Sequence, residues 1–437
     1  MYFGIDLGTT NSLIGSGKTL YSGLVSSSVD TETATHVSRD TIGDSIISSY
    51  KVNMNAGESG KLPIACSAVV LKDLAKVAED NSGVPCKDIV VSVPAKFNNS
   101  QRTAVAEAAK KAGLNLITLI NEPTAAAIYV AHDYKDLLVV YDLGGGTFDI
   151  SIIDARAGNY ATVATDGRLV AGDNFDAALC ARAYKDCKIQ MRYMTKANKK
   201  RLMMDMRLAK EALQRSHASQ FIDMSYFGVD ITFELTPEIY VEIMKEVFGI
   251  TLTLTRNVIN ENLSDFEKPK LVFVGGSTAC PYLKEWISSE LGLEYLRSDE
   301  APDYIVAKGV ALYASMVEDG TAEEFVSDVT GRLVIESDTG KGITVISANS
   351  IIPIEEEIVV YNSVESDKLI LDLYQGNAIM CTDNDYIGTL VYNYGRVVPA
   401  GDGYITVTVK VNIDGIITLS GTDMLTGDTQ DIKLELR

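Results

Sequence analysis

Gly4-Ile-Asp-Leu-Gly-Thr-Thr-Asn-Ser12 opens the chain, and Tyr141-Asp-Leu-Gly-Gly-Gly-Thr-Phe-Asp-Ile-Ser151 repeats its pattern a third of the way along. Each segment follows an apolar run, Met1 to Ile5 and Leu137 to Tyr141, and each places an aspartate where the strand turns. Glycine lets a backbone enter conformations closed to other residues and approach a ligand closely. Successive backbone N–H groups in such a turn form a concavity for phosphate oxygens, and an adjacent aspartate can hold a phosphate-bound Mg²⁺ through water. One loop of this kind is an ordinary strand connection. Two alike predict two lobes clasping one nucleotide.

Outward from these loops, apolar strands alternate with amphipathic helices, which predicts mostly parallel α/β layers. Ile89-Val-Val-Ser-Val93 reads as a buried strand stopped by Pro94, and Leu271-Val-Phe-Val274 as another running into Gly275-Gly276-Ser277. Ser100 is expected to open a helix through Val105, Ala108, Ala109 and Ala112, capped by Gly113. Past Met316 the pattern changes. Glu318 to Glu324 is acidic and glycine-containing, as a connector is, and beyond Asp328 the apolar period becomes two: Leu369, Leu371, Leu373, then Ile405, Val407, Val409, Val411. Asp414-Gly415 and Gly427-Asp428 are hairpin signals. These features predict three parts: 1–317, an α/β nucleotide-binding region; 318–327, a connector; and 328–437, a β-sandwich.

The length of 437 residues accommodates more than one core. A formal charge of −20 argues against nucleic acid and anionic membrane surfaces as partners, since both select basic footprints. The N-terminus has no basic stretch followed by an apolar run and cleavage site, and no apolar run reaches membrane-spanning length. Six cysteines without C-x-x-C pairing (Cys66, Cys86, Cys180, Cys187, Cys280, Cys381) read as buried thiols in a reducing compartment, and three scattered histidines make zinc an unsuitable guest. A cytoplasmic location is expected.

Taken together, the segments resemble the seventy-kilodalton heat-shock chaperones, of DnaK type, over nearly the whole chain. The motifs carrying the resemblance are Ile5-Asp-Leu-Gly-Thr-Thr-Asn-Ser12, Val93-Pro-Ala-Lys-Phe-Asn-Asn-Ser-Gln-Arg102, Ile120-Asn-Glu-Pro-Thr-Ala-Ala-Ala127, Tyr141 to Ser151, Gly172-Asp-Asn-Phe-Asp176 and Val274-Gly-Gly-Ser-Thr278. The resemblance implies an actin-like two-lobed ATPase region followed by a peptide-binding sandwich. It implies ATP and ADP with Mg²⁺ as cofactors, and extended apolar segments of unfolded polypeptides as partners. An actin-fold phosphotransferase of sugar-kinase type is the alternative. It needs an acceptor pocket with a catalytic base, for which no motif is found. An actin-like filament protein is a third reading, disfavoured by the sandwich and connector.

By the same resemblance, Asp6 and Asp142 carry the metal through water, while Gly8, Thr9, Thr10 and Asn11 on one side and Gly144, Gly145, Gly146 and Thr147 on the other hold the phosphates. Lys51 and Asp149 order the attacking water, and Glu122, fixed before Pro123, links the metal shell to the peptide region. Gly172, Lys210, Gly275, Gly276, Ser277 and Asp303 belong to the adenosine side. Leu333, Ile335, Tyr361, Val364, Leu369, Leu371 and Ile405 line the peptide channel, and Phe325 and Val326 anchor the connector.

The chain also departs from the family pattern. Arg207 stands for a glutamate, Gln214 for a serine and Ala279 for an arginine, which implies weaker nucleotide binding. Thr118 replaces a basic residue and Lys96 a tyrosine on the surface used with J-domain co-chaperones, so pairing with these and with a nucleotide-exchange factor is weakened as an expectation. The segment between Asn11 and Lys51 is short, and the sequence ends at Arg437, where the family pattern leads one to expect a helical lid.

Overall fold

Each Asp-Leu-Gly segment forms the tip of a β-hairpin, and each hairpin organises a sheet in the same way. The structure is a computed structural model and describes residues 1–38, 45–54, 61–95, 97–130, 134–264, 266–322, 326–348 and 350–432. Phe3–Leu7 pairs antiparallel with Asn11–Ser16 and, on its other side, parallel with Asp88–Val93, which pairs parallel with Asn115–Asn121. Leu137–Leu143 likewise pairs antiparallel with Phe148–Asp154 and parallel with Lys270–Val274. The repetition in sequence is therefore a repetition in topology. The central strands are apolar on both faces because helices cover both.

Helix placement follows local chemistry. Asn99–Ala112 begins one residue before the expected Ser100, because Asn98 accepts from the Gln101 backbone while Gln101 reaches back to Asn98. Gly113 caps its end at φ 78°, as expected. Helices Glu122–Val130 and Pro302–Glu318 cross at Gly309, where a Cβ would overlap the Ala125 carbonyl oxygen. That contact brings Glu122 to the floor of the space between the two hairpins.

From Val326 on every regular element among the described residues is a strand or a short 3-10 turn. Two four-stranded antiparallel sheets face one another. One is ordered Gly342–Ile346, Leu333–Glu336, Ser366–Gln375, Asp385–Val398; the other Ile354–Tyr361, Tyr404–Val411, Ile417–Asp423, Thr429–Ile432. They enclose a core of Leu333, Ile335, Leu369, Leu373, Ile405, Val407 and Val409 with their neighbours. Gly415 and Gly427 turn the expected hairpins at φ 71° and 75°.

The segment read as a connector is partly a strand. Val326–Thr330 pairs parallel with Tyr160–Arg168 and antiparallel with Ser350–Ile352, tying the C-terminal sheets to the second hairpin's sheet. Phe325 lies outside the described residues, as does Lys96. All six cysteines are buried and free, and no helix among the described residues is long and apolar enough to cross a membrane.

Of the residues expected at the peptide channel, Leu333, Ile335, Leu369 and Ile405 are packed between the two sheets here, Leu371 is half-buried at the core edge, and Tyr361 and Val364, 57% and 65% exposed, face outward. Alternation in a strand tells which residues share a face, not whether that face meets a ligand or another sheet. Leu369→Asp is accordingly expected to unfold the C-terminal region, since an unpaired buried carboxylate is among the most destabilising core changes. Loss of the β-sheet circular-dichroism melt would show it; a folded variant that lost only peptide binding would contradict a core role and place Leu369 at the channel surface.

Candidate functional site

Both glycine turns open onto a single cavity of about 750 Å³. Asp6, Gly8, Thr9, Thr10 and Asn11 line it from one side, and Asp142, Gly144, Gly145 and Thr147 from the other. The turns nearly touch: a Cβ on Gly145 would overlap the Thr10 hydroxyl and force Thr10 to shift. Gly146 completes the turn without facing the cavity, and Asp149 is buried behind it, opposite Asp142 in the hairpin register.

Lys51, on the 3-10 turn Tyr50–Asn53, reaches the cavity from the first hairpin's side and donates to Glu122 Oε1 at 2.6 Å. Both side chains are nearly excluded from water, and Lys51 lies 5.6 Å from the Phe97 ring centroid. An ammonium at such depth needs this partner: removing one member of a buried pair typically costs about 3–5 kcal/mol. Ser92 donates to Asp6 Oδ1 at 2.8 Å.

The carboxylates crowd one another. Burial, then the charge of Glu122, raises Asp6 to about 7 against the pull of Lys51. Burial, followed by Glu122, Asp149 and Asp6, holds Asp142 well above the ordinary carboxylate range. A bound cation relieves this repulsion by stabilising the ionised forms. No cluster of three or more His, Cys, Asp or Glu among the described residues converges as a direct metal site. The donors fit a hydrated Mg²⁺ that takes its remaining oxygens from phosphates.

The far end of the cavity is polar and charged. Gly275 adopts φ 81°, Gly276 lies close against Asp303, and Ser277 donates to the Gly144 carbonyl at 2.8 Å. Gly172 starts the helix Gly172–Asp186, its N–H on the same carbonyl at 3.1 Å. Lys210 donates to Asp176 Oδ1 at 2.5 Å, and Arg207 donates to Asp176 Oδ2 at 2.9 Å and to Asp173 Oδ1 at 2.8 Å. The departure at Arg207 is thus matched by two carboxylates. Gln214 also lines the cavity and donates to the Tyr240 hydroxyl at 2.9 Å.

Sequence reasoning gave no role to Ser49, Ser92, Asp173 or Asp176. Ser92 had a signal, a lone polar residue on an apolar strand, which must find a buried partner. Asp173 and Asp176 sit in a motif already quoted, but their basic partners lie on another helix, Lys196–Ser216.

A second contact joins the C-terminal region to the first sheet. Asp414, at the Tyr404–Val411/Ile417–Asp423 turn, accepts from Thr118 Oγ1 at 2.5 Å and from the Leu119 N–H at 2.7 Å through Oδ1, and its backbone carbonyl accepts from Arg102 Nη1 at 2.9 Å. The Ile417 N–H donates to Asn99 Oδ1 at 2.8 Å.

Comparison with known proteins matches the sequence of this chain to one family. The family model described as Hsp70 protein covers residues 27–437. A chaperone protein DnaK of Mycoplasma mobile is 29% identical over 470 aligned residues, spanning 99% of this chain and 78% of that protein.

Proposed function

This chain belongs to the Hsp70 family, and from that premise we propose that it is an ATP-dependent chaperone whose nucleotide state sets its grip on extended apolar polypeptide. The carrying observation is the pair of like hairpins facing one cavity, with the buried Lys51–Glu122 pair between them. In this reading residues 1–317 form an actin-like two-lobed ATPase, 318–327 a connector, and 328–437 a peptide-binding β-sandwich.

Phosphoryl transfer to water needs positioning and charge neutralisation more than covalent chemistry. Backbone N–H groups of Gly8 to Asn11 and of Gly144 and Gly145 hold the phosphates, with the Thr10 and Thr147 hydroxyls beside them and Gly146 shaping the turn from behind. Asp6 and Asp142 hold hydrated Mg²⁺, which supplies neutralisation of the charge developing on the phosphates. Lys51 orients the attacking water, its own position set by Glu122, and Asp149 supports the turn from behind. Gly172, Lys210, Gly275, Gly276, Ser277 and Asp303 surround the adenosine.

The arrangement at Asp414 supports the coupling. Here the C-terminal sheets are hydrogen-bonded to the first sheet, and the channel candidates Leu333, Ile335, Leu369 and Ile405 are closed into a core. Release of that contact frees the sheets to separate around a peptide, with Tyr361 and Val364 already at the surface. The same contact covers Thr118, so a J-domain or nucleotide-exchange partner using that surface competes with it. Phosphate released from MgATP with no added acceptor, together with capture of aliphatic-rich peptides on an array, is the expected outcome. Turnover that required a small-molecule acceptor would instead select a phosphotransferase.

A further inference from the structure

Ser49 has a left-handed backbone, φ 54° and ψ 24°, a conformation disfavoured for a side chain without special support. It immediately precedes the turn that carries Lys51, and Tyr50 anchors that turn in the first hairpin's core. In this conformation the Ser49 hydroxyl donates to Asp173 Oδ2 at 2.7 Å, and Asp173 lines the cavity. Asp173 belongs to the opposite side. Its backbone N–H is fixed to the Gly145 carbonyl at 2.8 Å, and its helix packs through Phe175 and Leu179 into the second hairpin's core.

The second oxygen of Asp173 accepts from Arg207, which also donates to Asp176, which in turn holds Lys210. A continuous chain of hydrogen bonds therefore runs from the Lys51 turn, over the second glycine loop, to the lysine at the far end of the cavity. Of these bonds among the described residues, Ser49–Asp173 is the one that crosses between the two sides.

We propose that Ser49 is a positioning residue and the catch of the cleft: its bond to Asp173 holds the two sides closed over a bound nucleotide and seats Lys51 against Glu122, so that release requires this bond to break. The inference rests on the nucleotide-site reading above. A hydrogen bond to a carboxylate is worth about a factor of ten or more in a rate that depends on breaking it.

The test loads the full chain with Mg²⁺ and a fluorescent N-methylanthraniloyl ADP, then chases with unlabelled ATP. Ser49→Ala and Asp173→Asn are expected to release the probe about tenfold faster, and Ser49→Ala also to slow single-turnover hydrolysis. Ser49→Gly relieves the backbone strain yet removes the hydroxyl, and is expected to behave as the alanine variant. Ser49→Asn tolerates the left-handed backbone and restores a donor, and is expected to recover slower release. Unchanged release in Ser49→Ala and Asp173→Asn overturns the catch, even if their melting temperatures fall. Failure of the unmodified chain to bind the probe overturns the nucleotide-site reading on which the catch depends.

Discussion

Asp142→Asn is expected to lower ATP turnover by about a hundredfold or more while the protein stays folded. Asp142 is 6% exposed at the tip of the second hairpin, and its carboxylate faces the cavity with Asp6 and Glu122 nearby. Asparagine fills the same space but brings no charge to a metal, so the loss falls on chemistry. Stability should move the other way. Burial and neighbouring carboxylates raise the pKa of Asp142 in the folded chain above its unfolded value. Ionising it at high pH therefore costs the folded state more than the unfolded one, and stability contributed by the proton is lost as pH rises. In the ligand-free protein the variant should melt no lower than the parent at pH 8, and its advantage should shrink towards pH 5. Phosphate release and thermal melts at both pH values test the two halves. Undiminished turnover would mean that the metal site has been misplaced.

Asp414→Ala is expected to erase the effect of ATP on peptide affinity. Asp414 receives two hydrogen bonds on one carboxylate oxygen and a third on its carbonyl, from Thr118, Leu119 and Arg102. Hydrogen bonds to charged groups contribute about 1.5–3 kcal/mol each, and allosteric couplings are typically about 1–3 kcal/mol. Losing the carboxylate therefore removes as much free energy as the coupling contains. Replacing Phe325 and Val326 by Asp should act at the connector in the same direction, because the Val326–Thr330 strand joins the Tyr160–Arg168 edge. Each region should keep its own binding in both variants. Nucleotide affinity measured by fluorescence, and peptide affinity by anisotropy with each nucleotide, separate loss of coupling from loss of either site. An ATP effect that survived Asp414→Ala would place the coupling elsewhere.

Much of this is legible in the sequence. The repeated Asp-Leu-Gly pattern announces a repeated hairpin, and continuous apolar runs such as Ile89 to Val93 announce strands covered on both faces. Asp6, Glu122, Asp142 and Lys51 meet in the cavity because each sits at the end of a regular element. What stayed hidden depends on distance in sequence. Ser49 and Asp173 are separated by 124 positions, and no local pattern says that a serine will adopt a left-handed backbone to reach a carboxylate. Arg207 was visible as a departure, but its compensation by Asp173 and Asp176 needs the packing of two helices. Leu369 and its neighbours showed the right alternation, and alternation alone could not tell a channel from a core.

The most direct measurement is the affinity of the unmodified full chain for one aliphatic-rich peptide, taken in saturating MgATP under conditions too brief for hydrolysis and again in MgADP. Coupling through the Asp414 contact predicts weaker binding with ATP by about fivefold or more, and by linkage an equal weakening of ATP binding by peptide. Equal peptide affinity in the two nucleotides would contradict the account, leaving an ATPase and a binding module joined only by their chain.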